Sequence, residues 1–167
     1  MTFLVLKTQL DVSRGRAGNL QVTLAIIQAL INKCLENLNV FATKSCEIIQ
    51  LVLKVRDVAL AKSSVETHGV LCSHLDGGLF TGDKEFVELF TVLSDSLIDL
   101  ASSPDVKSGP DVLDWECVSI KACANNVSIL DYNPTIGRKF TLKCIPILLN
   151  FIRKINDSAQ QLKFRLG

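Results

Sequence analysis

Between Asn19 and His68 the chain contains neither glycine nor proline. The two residues that most readily interrupt a helix are therefore absent from a long stretch. Within it, Leu20, Leu24, Ile27, Ile31, Cys34, Leu38 and Phe41 are spaced 4-3-4-3-4-3. That rhythm lays an apolar seam along one side of a helix. Gln21, Gln28, Asn32, Glu36 and Asn39 fall elsewhere, in a narrow polar stripe. Glu47–Ala61 has the same character: Glu47, Gln50, Lys54 and Asp57 line one side, and Ile48, Ile49, Leu51, Val52, Leu53, Val55, Val58 and Leu60 occupy most of the rest. A helix with so thin a polar stripe is packed on more than one side. The poor helix formers of Asn37–Thr43, two asparagines among them, place a break near residues 39–43.

Further along, His68-Gly69 and Asp76-Gly-Gly78 read as turns, with a short helical turn at Val70–Leu75 between them. Asp83 suits an N-cap. Phe86, Phe90, Leu93, Leu97 and Leu100 then predict a helix to about Ala101. Ser102-Ser-Pro104 and Lys107-Ser-Gly109 form a loop, and Pro110 suits a first helical position. Leu113, Cys117, Ile120, Ala124 and Val127 make the next seam. After a turn at Asn133-Pro134 and Gly137, a last helix is expected from about Arg138 to Arg165. Its seam is Ile145, Leu148, Ile152, Ile155, Ala159, Leu162 and Leu166, with a kink or restart at Pro146.

The first residues differ. Leu4, Leu6, Leu10 and Val12 alternate as in a strand, but no second strand pattern exists to pair with them. Residues 1–18 are read as an extended N-terminal arm and linker, the first twelve alternatively as a short helix, and an unpaired arm of this kind is suited to docking on another subunit. Residues 19–167 form the single domain. The predicted fold is all-α, an antiparallel bundle of about five helices in the shallow-angle packing that 4-3 spacing favours. No repeat period supports a solenoid.

A single domain of 167 residues buries about 70% of its unfolded surface and needs neither metal nor crosslink to fold. Its mean hydropathy of +0.32 is high, so some apolar surface is expected to be covered by a partner, a lipid or a second copy. The net charge of +1 and the 48% apolar content exclude a uniformly polybasic or polyacidic chain and a disordered one. Charge is nonetheless unevenly placed. Residues 1–62 carry 8 basic and 4 acidic groups, residues 63–131 carry 3 and 12, and residues 132–167 carry 7 and 1. Side-by-side packing of acidic and basic helices accounts for this pattern. The sharper alternative aims Arg138, Lys139, Lys143, Arg153, Lys154, Lys163 and Arg165 at an anionic partner. Nucleic acid is disfavoured, because no aromatic residues interleave with those charges.

No transmembrane segment is present. The longest candidates, Leu24–Ile31 and Cys144–Ile152, are too short and are interrupted by Gln28, or by Pro146 and Asn150. Met1–Leu6 lacks the basic flank of a signal peptide. If Met1 is the native start, the expected location is intracellular. The alternative is secretion with the six cysteines in disulfides, for which 15 pairings exist. Burial of free thiols is preferred, since four of the six lie in strongly apolar helical patterns. The sequons at Asn126-Val-Ser128 and Asn156-Asp-Ser158 shift that balance little.

Candidate chemistry is sparse. His68, Cys72, His74 and Asp76 have metal-ligand side chains, but H-x3-C-x-H-x-D is not a zinc spacing. A Cys72–His pair is conceivable only if neighbours in sequence converge in space. Cys117 and Cys123 point to opposite sides of a helix, and each needs a partner elsewhere, from among Cys34, Cys46 and Cys144. Arg14-Gly-Arg-Ala-Gly18 lacks the frame of a phosphate loop, and Asp76–Asp83 lacks the ligand alternation of a calcium loop. Trp115, Phe80, Phe86 and Phe90 read as core or interface residues. No catalytic residue, cofactor-binding residue, metal ligand or cofactor is assigned. The expected role is a non-enzymatic interaction or structural subunit that buries apolar surface against a protein partner or a homo-oligomeric copy. The alternative is a carrier of lipids or other apolar ligands in the bundle interior.

Overall fold

The computed structural model describes the backbone of residues 1–102 and 111–166, and their side chains apart from Ala101 and 158–166. Among these residues the regular elements are helical. They are α1 (Thr2–Ser13), α2 (Ala17–Lys33), α3 (Leu38–Leu53), α4 (Val58–His74), α5 (Gly77–Gly82), α6 (Lys84–Ile98), α7 (Val112–Asn125), α8 (Ile129–Tyr132) and α9 (Pro134–Leu166). Short 3-10 turns occupy Leu35–Asn37 and Leu100–Ser102. The loop expected at 103–109 and Pro110 lie outside the described residues.

The helices stack in two rows. In one row α1 packs on α3 and α3 on α6; in the other α2 packs on α4 and α4 on α7. The members of each pair, α1–α2, α3–α4 and α6–α7, pack across the rows. Helix α9 follows, against α6, α7 and α8. The expectation of an all-helical chain holds, but the five-helix bundle is replaced by paired helices in the manner of a short solenoid. The pairs differ in length, and α5 intervenes before the third, so no fixed period marks them in the sequence.

The N-terminal segment corrects a second expectation. It is a helix packed on α2 and α3, not an extended arm. Val5, Thr8 and Asp11 face inward at helical spacing. Asp11 is buried, yet it is matched by Lys7, by Arg16 at 3.6 Å and by the Asn19 amide at 3.2 Å. These contacts, with the Lys7 hydrogen bond foremost, hold its carboxyl below the usual range. Gly15, at φ +63°, then lets the chain reverse into α2 within three residues.

The first seam is buried as read: Leu20, Leu24, Ile27 and Ile31 on α2, then Leu38 and Phe41 on α3. The break between these helices falls at Cys34–Asn37, slightly ahead of the expected 39–43. A further break separates α3 from α4. Arg56 takes the left-handed conformation there (φ +58°), and Asp57 caps α4 by accepting from Leu60 N at 2.8 Å. Gly69, expected in a turn, lies inside α4. A Cβ there would stand 2.9 Å from the Asn125 side-chain oxygen, so glycine serves the close approach of α4 and α7. Asp83 caps α6 as expected, accepting from Phe86 N at 2.9 Å. The core is mainly Leu, Ile and Val, with a cluster of Phe86, Phe90 and Phe140 at the α6–α9 end and Phe80 edge-on to the first two at 5.5 Å.

Candidate interaction surface

The two C-terminal seams depart from expectation in the same way. On α7 the inward residues are Trp115, Val118, Ser119, Ala122 and Cys123. The predicted seam lies largely outside: Leu113 is 69% exposed, Val127 is 65% exposed, and Cys117 and Ala124 are exposed too. Small inward residues let α7 sit close on α4 and α6, and the larger aliphatics are left on the far side. On α9, Phe140 and Cys144 are buried, but Ile145, Leu148, Ile152 and Ile155 are not. Of the same predicted seam, Ala159, Leu162 and Leu166 have side chains outside the described set.

The two exposed faces meet in a groove of about 330 Å³ between α7 and α9. Its walls include Ile120 and Ala124 of α7 and Val127 just beyond it on one side, and Ile145 and Leu148 of α9 on the other, with Cys123, Phe140 and Cys144 at its floor. Asn126 also lines it, and its side-chain oxygen has no hydrogen-bond partner among the described residues. Leaving such an acceptor unpaired costs about 1–3 kcal/mol. The Asn126 sequon is thus turned inward, with its amide nitrogen donating to Ala122 O at 2.7 Å.

Charge pairs hold α9 in this position. Lys139 and Lys143 reach Asp95 on α6 at 2.6 and 2.9 Å, Lys143 also reaches Asp99 at 2.5 Å, and Lys154 contacts Glu116 on α7. The basic C-terminal region lies against the acidic middle one. Lys163 and Arg165 fall outside the described side chains.

The metal-type cluster is divided by the fold. His68 is buried in α4, where the Asn125 amide donates to its Nδ1 at 3.3 Å. The same amide donates to Val65 O at 2.9 Å, which fixes its orientation. Nε2 therefore carries the proton and donates to Ser94 Oγ at 3.1 Å. Burial lowers the His68 pKa to about 4. Cys72 touches the same ring at 3.5 Å, but burial pushes its thiol well up, the opposite of an activated nucleophile. His74 faces solvent near Asn32, and Asp76 caps α5. Arg14–Gly18 forms the α1–α2 turn, and Arg16 is paired with Asp11.

The groove and the row-wise stacking set the frame for comparison with known proteins. A family profile described as EFR3 protein matches residues 1–163. The chain belongs to the EFR3 family. It is 48% identical to Protein EFR3 of Candida albicans over 99% of its own length and 17% of that protein's. It is 47% identical to Protein EFR3 of Debaryomyces hansenii, over 97% and 18%. A crystal structure of Efr3 superposes with a TM-score of 0.52 at 27% identity, covering 80% of this chain and 29% of that one. The chain thus spans less than a fifth of the length of these curated EFR3 relatives. Among the described residues no helix is long and apolar enough to cross a membrane.

Proposed function

We propose that this chain is a non-enzymatic segment of a helical scaffold, and that its α7–α9 groove docks a further helical hairpin of an EFR3-type chain. The observation that carries this reading is the exposure of two helically spaced apolar seams on facing walls. A hairpin laid along them reproduces the contact that α4 makes with α7 within the stack. Each large aliphatic so covered contributes about 1.5–3 kcal/mol. The length of the relatives supports this occupant, since they contain several times as much chain as the matched part. Carriage of an apolar ligand in the interior has no comparable observation behind it, because the buried aliphatic and aromatic side chains form one continuous core cluster.

Light scattering over a range of concentrations tests the proposal. The isolated chain, with the groove uncovered, is expected to self-associate and to bind a hydrophobic dye. Val127→Glu together with Leu148→Glu should return it to its monomer mass of 18.3 kDa and abolish dye binding. A strict 18.3 kDa particle that binds no dye at any concentration, or association that the double variant leaves intact, overturns the reading.

A further inference from the structure

The end of the stack opposite the groove is also uncovered. Phe3, Leu6 and Leu10 step 3-4 along α1, Val22 and Ile26 step 4 along α2, and all five are exposed. These outer sides carry no charge. The other exposed residues of α1 are Thr2, Gln9 and Ser13, and the charged residues of that helix, Lys7 and Asp11, bond to each other. Helix α2 has no charged residue before Lys33, its last. A surface helix ordinarily places charged residues on the side away from the core. Two helices packed together that place none there present a face suited to burial.

We propose that this α1–α2 face docks in the α7–α9 groove of a second copy of the chain, so that copies add head to tail. The contact rests on the scaffold reading and names the hairpin that the groove takes. The direction of the stack selects this occupant. Helix α3 packs on α1 and α6 on α3, while α4 packs on α2 and α7 on α4. Each joint thus sets the leading side of a later pair on the trailing side of an earlier one, and repeat stacks are built from such nearest-neighbour joints. What comes next on α7 in that sense is a leading side. The α1–α2 hairpin carries one, and it is exposed.

The chemistry of the two surfaces agrees. No charged residue lines the groove, so neither surface strips water from an ion on contact, which would cost several kcal/mol per charge. The groove also holds the Asn126 side-chain oxygen, an acceptor without a partner among the described residues. Gln9 and Gln21, exposed on α1 and α2, carry amide donors of the kind it lacks. A contact between two different surfaces leaves one of each open on every pair of copies. Association therefore continues past the dimer, as heterologous contacts do.

A pair of complementary variants tests the contact by light scattering. Phe3→Glu with Val22→Glu charges the α1–α2 face, at positions 78% and 58% exposed, and Val127→Glu with Leu148→Glu charges the groove. The native chain is expected to pass beyond twice 18.3 kDa as its concentration rises, and each variant alone to stay at 18.3 kDa. An equimolar mixture of the two variants brings together one intact face and one intact groove. It should give a particle of twice 18.3 kDa and no larger. Should the first variant lose its helical circular dichroism, Phe3→Ser with Val22→Ser takes its place. Association that the α1–α2 variant leaves intact, or a mixture that stays at 18.3 kDa, overturns the head-to-tail contact and leaves the groove standing as an interface. A native chain that stays at 18.3 kDa at every concentration removes the scaffold reading itself, and this contact with it.

Discussion

Helices α6 and α7 carry the same 4-3-4-3 apolar spacing, pack against each other and meet opposite surroundings. The seam of Phe86, Phe90, Leu93 and Leu97 on α6, with Leu100 in the turn beyond it, is buried throughout. It has α3 on one side and α7 and α9 on the other. The equivalent seam of α7 is turned largely outward, with Ile120, Ala124 and Val127 lining the groove, and the buried side is the row of Val118, Ser119, Ala122 and Cys123. An apolar stripe at helical spacing marks a face that gains free energy when covered. What covers it depends on position in the stack. In the interior of a row it is the neighbouring pair; at α7 and α9 the face is left open among the described residues.

The sharpest way to break this comparison is to remove the same kind of side chain from each face. Phe90 lies among Phe80, Phe86, Phe140 and the His68 ring, at centroid distances of 5.4 to 6.4 Å. Phe90→Ala is expected to cost about 3–5 kcal/mol, the transfer term plus a cavity that this rigid cluster cannot close. Urea unfolding followed by circular dichroism measures it. A loss near that of a surface substitution would show that the aromatic cluster does not hold the rows together.

The His68 site gives the next largest effect and makes the interior pH-sensitive. Its folded pKa of about 4 lies below the ordinary histidine value of 6.5. Above pH 6.5 the ring is neutral in both states and its contribution is fully present. As pH falls from 6.5 toward 4, the unfolded chain takes up a proton that the folded chain refuses. Stability therefore drops over that window, by about 3 kcal/mol in total. Urea midpoints between pH 7 and pH 4 should trace this loss, and His68→Gln should flatten the curve. An unchanged slope in that variant would assign the dependence to other groups.

Parts of this architecture are legible in the residues, and the reasons differ by place. The seams of α2 and α6 and the Asp83 cap are local signals, satisfied by neighbours within the stack. Asp57 was equally readable as a cap, but the apolar run around it masks it in the sequence. Gly69 misleads because the requirement it meets lies on another helix, at Asn125. The N-terminal segment misleads because alternation of leucines fits a strand, and only docking on α2 and α3 selects the helix. The groove was half legible: its residues are those of the predicted seams, but no local signal says which face of α7 the small residues Ser119 and Ala122 would win.

Glycines at the two ends of the stack sharpen the contrast further. A Cβ on Gly137 would stand 2.6 Å from Leu130 Cα, a backbone atom that cannot swing away. Gly137→Ala is expected to cost about 2 kcal/mol, as α8 and the start of α9 are forced apart. Gly18, near the start of α2, has open space around it. Gly18→Ala should be neutral or should stabilise by up to about 1 kcal/mol through the unfolded chain. Thermal melts of the two variants read the difference directly, and equal effects would mean that the α8–α9 contact yields more readily than its geometry indicates.

The smallest effect is the most informative about the exposed seam that runs from Leu113 to the groove residue Val127. Leu113 is 69% exposed and Val127 65%. Their replacement by serine removes apolar area that already faces water, so unfolding of the isolated chain should change by less than about 0.5 kcal/mol for each. The same substitutions remove apolar area that a covering hairpin would take from water. Their effect should therefore grow several-fold when stability is measured with such a hairpin bound. A residue that contributes little alone and much in company identifies an interface, whereas Phe90 should contribute equally in both settings. If Leu113 and Val127 stay silent with the hairpin in place, the seam on α7 is uncovered surface, and the likeness between its spacing and that of α6 has no structural consequence.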